Sequence, residues 1–130
     1  MPISIELILL GDVAYVDRQR IIDLLKVYKD QEISTKSFIE SFSEIYESNW
    51  RKCSKIEKSN LLMTFLIEED SIGFGVVLYV IYKHVKKLER LYQANQFLKD
   101  DEFEKKRKVY QEIIFFYYNL LKKRYPLSEE

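Results

Sequence analysis

Residues 32–50 read EISTKSFIESFSEIYESNW. Phe38, Ile39, Phe42, Ile45 and Tyr46 recur at three- and four-residue intervals, so they share one face of an α-helix. That leaves Glu40, Glu44 and Glu47 on a different face, at i, i+4 and i+7. Ser34 is placed to cap the helix through its hydroxyl, with Ile33 packing on Phe38 as a hydrophobic staple. Like charges at this spacing weaken an isolated helix by about 0.2–0.5 kcal/mol per pair. A packed face below and an acidic stripe above are the two facts from which the rest is read.

Upstream, Asp17 is a candidate N-cap for a helix over residues 18–30, with Ile21, Leu24, Leu25 and Tyr28 as its buried stripe. The link to the next helix is so short that the two must form an antiparallel hairpin. Downstream, Ser54 and Glu57 have capping-box spacing and open a third helix through Leu61, Leu62, Phe65 and Leu66. It ends at the acidic cluster Glu68, Glu69 and Asp70, and residues 71–75 read as a hinge. A fourth helix is expected over residues 74–98, with strand as the competing assignment for 75–82 because of its Val, Ile and Tyr content. Asp100 and Asp101 interrupt the pattern. A last helix follows over residues 102–124, stopped before Pro126. Residues 3–10 fit helix or strand equally. The sum is an all-α, single-domain bundle of about five helices.

Composition agrees with a packed domain. The 130 residues are 47% hydrophobic, with only three Gly and two Pro to interrupt helices. Twenty-one bases balance twenty-one acids, so no global field points to nucleic acid. The charges are nonetheless unevenly spread: residues 1–50 hold nine acids against five bases, and residues 83–130 hold eight against twelve. Cys53 is the single cysteine, which rules out an internal disulfide and fits a reducing compartment. The N-terminus lacks the basic region of a signal peptide. The longest apolar run, residues 72–82, is about half the length of a membrane span. A cytoplasmic protein with no membrane partner is expected.

Catalytic chemistry is poorly supplied. His84 is the only histidine, and a general base would need an oriented partner and a nucleophile within reach. Cys53, expected just ahead of a helix, has no identifiable base. The clusters 68–70 and 100–102 lack the spaced ligands and central glycine of a calcium loop, and no glycine-rich phosphate loop occurs. No catalytic residue, metal site or cofactor is assigned, and the chain is not expected to be an enzyme. The bases at 105–108, followed by those at 122–124, come after the acids of 100–104, and pairs such as Glu104 and Lys108 sit at salt-bridging spacing, so direct nucleic-acid binding is not expected either. Residues 113–121, all but Asn119 apolar or aromatic, belong either to a central helix or to one with a face open to a partner.

The helix, the short polar turn and the Ile33-Ser34 entry to Phe38 and Phe42, together with Leu24 and Leu25, resemble the opening of the colicin D immunity protein group. Related helical immunity proteins accompany toxins of contact-dependent growth inhibition. The resemblance covers residues 21–46. It implies a helical bundle that binds one cognate toxin domain, a nuclease, and blocks its active site or substrate groove, acting as a monomer or homodimer. On this reading Asp30, Glu32, Glu40, Glu44 and Glu47 form a compact negative surface that meets a cationic partner, with Tyr46, Asn49 and Trp50 as anchors. The alternative is a regulatory or adaptor domain that self-associates through its C-terminal aromatic helix.

Overall fold

A computed structural model describes residues 10–11, 13–54 and 69–125. Among them four long helices occur: α1 (Arg18–Lys29), α2 (Thr35–Ser54), α3 (Glu69–Gln93) and α4 (Asp100–Arg124). A single 3₁₀ turn, Asn95–Phe97, joins the last two. Residues 10, 11 and 13–15 are also helical, and no described residue is strand. The all-α class expected from periodicity is the class observed.

Each helix packs on two neighbours, α1 on α2 and α4, α3 on α2 and α4. Cross-links run in opposite directions at every seam. Asp17 reaches Asn49 and Tyr28 reaches Thr35 between α1 and α2; Phe74 meets Tyr125 and Tyr92 meets Phe103 between α3 and α4. The result is an up-down-up-down ring of the four described helices, each antiparallel to its neighbours.

The α2 stripe supplies the centre. Phe38, Ile39, Phe42, Ile45 and Tyr46 are all buried, as their spacing requires. Phe38 stacks on Tyr28 with centroids 4.0 Å apart, and Tyr46 stacks on Tyr82 at 3.8 Å. From α3 come Leu78, Ile81, Val85 and Leu88, and from α4 Ile114, Tyr118 and Leu121. One end of the ring is closed by Tyr15, Phe74 and Tyr125, arranged edge to face, the favoured geometry for ring quadrupoles. Gly73 lies so close to this cluster that a Cβ there would strike the Tyr125 hydroxyl.

Local expectations fared unevenly. Ser34 does cap α2, its Oγ accepting the Ser37 amide at 3.1 Å, and Ile33 is half-buried against the core. Asp17 precedes α1 but makes no side-chain cap; its carboxylate accepts from Asn49 Nδ2 at 3.2 Å instead. Burial in α1 also takes in Ile22, while Leu24 is only half-buried. Residues 71–75 are not a hinge: they lie within α3, and so do Glu69, Asp70 and residues 75–82. The aromatic and β-branched residues there pack as helix because neighbouring helices bury them on several sides, which overrides strand propensity. Helix α3 stops at Gln93 rather than at residue 98. Asp100 and Asp101 open α4 instead of breaking it, where acids suit the positive end of the helix dipole. Ser54 falls in α2; the rest of the expected third helix, residues 55–68, lies outside the described residues, as do residues 3–9.

The α1–α2 turn is closed by backbone hydrogen bonds. The Glu32 amide donates to Val27 O at 2.9 Å and the Gln31 amide to Tyr28 O at 3.0 Å, a Schellman end with Gln31 in the left-handed region at φ 62°. Glycine is the usual occupant because a Cβ is strained there. Gln31→Gly should therefore raise stability by about 0.5–1 kcal/mol, the sign being set by relief of that strain over added chain entropy. A urea titration checks it; a lower midpoint at unchanged slope would show that the turn carries no strain.

Candidate functional site

Helix α2 stands between α1 and α3 and turns its Phe38–Phe42 face inward, which fixes where its carboxylates go. Glu40 and Glu44 are exposed and have no ion-pair partner among the described residues. Glu40 sits on the rim of a shallow groove of about 370 Å³ between α2 and α3, with Lys36 and Ile39 beside it and Glu89 and Tyr92 across it. A half-exposed aromatic ring between carboxylates makes an edge that is acidic and partly apolar. Such an edge suits a cationic protein surface.

Glu47 shares the stripe but has a different role. Its Oε2 accepts from the Tyr82 hydroxyl at 3.2 Å and lies 3.5 Å from Lys86 Nζ. Lys86 also donates to Glu89 at 3.2 Å. Burial lowers the Lys86 pKa, but the Glu89 hydrogen bond and the charges of Tyr82, Glu89 and Glu47 outweigh it and hold the ammonium above its ordinary range. Burial is also the main reason the Tyr82 hydroxyl lies above the usual tyrosine value. These four side chains fasten α2 to α3. No rule of spacing pairs residue 47 with residue 86; only the ring topology does.

Two expected anchors are interior. Tyr46 is buried in its stack on Tyr82. Asn49 is 1% exposed, its Nδ2 donating to Asp17 Oδ2 at 3.2 Å and to Ile45 O at 2.9 Å. Both hold the surface from beneath. Trp50 is 38% exposed and remains on the surface.

The compact acidic patch expected from five carboxylates is divided. Asp30 and Glu32 are exposed, but Asp30 belongs to the α1–α4 seam. With burial as the leading cause, its charge and that of Asp23 raise the pKa of Tyr118 on α4. Next to it Lys29 Nζ donates to Asn119 Oδ1 at 3.3 Å. In a four-helix ring that seam is the one opposite α2–α3. The left-handed turn at Gln31 leaves Asp30 on the far side of the hairpin, so proximity in sequence does not become proximity in space.

A second polar cluster ties the α1–α2 turn to α4. Gln111 Nε2 donates to the Tyr28 hydroxyl at 2.6 Å, and Arg107 Nη1 donates to Gln111 Oε1 at 2.7 Å. Arg107 is held in turn by Glu104. These groups satisfy one another, which marks a structural clamp. His84 is similarly accounted for: its Nδ1 donates to Val80 O at 2.8 Å, within its own helix. Cys53 lies inside α2; the helix it was expected to precede lies outside the described residues. Among the described residues no three metal-ligating side chains cluster, and no helix is long and apolar enough to cross a membrane.

No family model, curated protein or solved structure matches the chain.

Proposed function

We propose that the chain is a non-enzymatic inhibitor of the immunity-protein kind, which binds a cognate toxin domain in the cytoplasm and blocks its active site or substrate groove. The observation that carries this reading is the α2–α3 edge, where Glu40 and Glu44 are exposed and unpaired on a helix whose opposite face is tightly packed. Carboxylates held in this way can occupy positions that a nuclease reserves for phosphates. The rigid core below keeps them in place, so little ordering entropy is lost on binding. Glu40, Glu44 and Tyr92 are the contact residues of this reading, with Trp50 further along α2. Tyr46, Asn49 and Glu47 act by holding α2 in register.

The reading predicts that the chain, co-expressed with the toxin domain encoded by the gene immediately upstream, protects cells and co-purifies with that domain. Cells that die at the same rate with and without the chain would refute it. A second reading, a regulatory or adaptor domain that self-associates through α4, has one observation in its favour. Phe116 and Val109 on that helix are exposed.

A further inference from the structure

The acidic edge leaves unused the basic residues of α3 and α4, and the fold gathers three of them. Lys87 and Arg90 of α3 and Lys106 of α4 line a groove of about 310 Å³ over Leu91, Leu98 and Tyr110. No carboxylate among the described residues lines it. Neither Arg90 nor Lys106 has an ion-pair partner among the described residues, and Lys87 lies over the Tyr110 ring, 5.9 Å from its centroid. Lys86, one residue away, is engaged at the neighbouring α2–α3 seam, so the unpaired cations are a property of this face.

The same face carries an apolar strip. Val109, Ile113, Phe116 and Leu120 follow one another at intervals of four, three and four residues, the spacing of a seam that packs on another helix. Phe116 is 63% exposed and Val109 47%. Ile113 is one helical turn from Tyr110, so the strip continues directly from the groove.

We infer that this α3–α4 face is a docking surface for an acidic amphipathic helix of a partner protein, separate from the acidic edge and independent of the inhibitor reading. Charge decides the occupant. Lys105 and Lys106 flank one end of the strip, Lys123 and Arg124 the other, and all four are exposed. A second copy laid along the strip, parallel or antiparallel, would set these bases against one another. Exposed Glu112 stands midway along its flank; a continuous anionic membrane would meet it, whereas a helix carries its charges at discrete positions and can leave it facing solvent. A helix with leucines along one face and glutamates beside them answers both the strip and the bases.

Fluorescence anisotropy with two labelled peptides of about three heptads tests this. Both carry Leu at the seam positions; one has Glu and the other Lys on the flanks. The Glu peptide is expected to bind, more weakly as salt is raised. The Lys87→Glu/Arg90→Glu/Lys106→Glu variant should weaken that binding about tenfold, the size expected of three surface ion pairs. Phe116→Ala should weaken it too, with helical circular dichroism unchanged, and it carries the test should the triple variant misfold. Equal binding of the two peptides, no binding of either, or indifference to both variants would overturn the inference. So would binding to phosphatidylglycerol vesicles in place of the peptide, or self-association that Phe116→Ala abolishes.

Discussion

Phe42→Ala is expected to destabilise the fold by about 3–5 kcal/mol, the cost of emptying a core aromatic site. Phe42 is 1% exposed and its ring lies 5.6 Å from that of Phe38, which in turn stacks on Tyr28. The lost side chain therefore borders the stack that joins α2 to α1, and the ring of helices cannot collapse around the gap without disturbing that stack. Most domains of this size have only about 5–15 kcal/mol to lose, so the variant should be near the limit of folding. Chemical denaturation of the two proteins measures the difference. A loss below about 1 kcal/mol, the level of an ordinary surface change, would show that α2 does not bury this face.

The second large effect concerns recognition rather than folding. Glu40→Lys together with Glu44→Lys should slow association with the cognate toxin domain by about 10- to 100-fold at low salt, because steering depends on the sign of the local field. The wild-type rate should fall as salt rises and the variant's should not. Glu47 is left untouched, since its carboxylate meets Tyr82 and Lys86 and reversing it would loosen α2 from α3. Stability should change little, because both glutamates are exposed and the reversal exchanges one pair of like charges at i, i+4 for another. Stopped-flow kinetics at two salt concentrations decide it; identical rates for the two proteins would reduce the stripe to a solvated helix face.

What could be read in the sequence was whatever is local. The period of Phe38, Ile39, Phe42, Ile45 and Tyr46 fixes both the helix and its buried side, and the Ser34 cap follows from a hydroxyl one residue before Thr35. Residues 75–82 were harder, since an all-round apolar segment carries no period by which helix and strand differ. Residues 71–75 read as a hinge; in fact Gly73 makes room for Tyr125, a contact across more than fifty residues that no local pattern encodes. The candidate site shows the same division. Exposure of Glu40 and Glu44 followed from the helical wheel. The engagement of Glu47 by Lys86, the interior place of Asn49 beside Asp17, and the separation of Asp30 from the stripe all depend on which helices are neighbours. Topology decides those, and one chain's periodicity does not contain it.

The most direct test of the acidic edge as the recognition surface is amide hydrogen exchange on the chain alone and in complex with the toxin domain. Bound toxin is predicted to slow exchange in the stretch of α2 around Glu40 and Glu44 and in the last turns of α3 around Glu89 and Tyr92. Protection confined to the α1–α4 seam around Asp30, with α2 unchanged, would contradict the account.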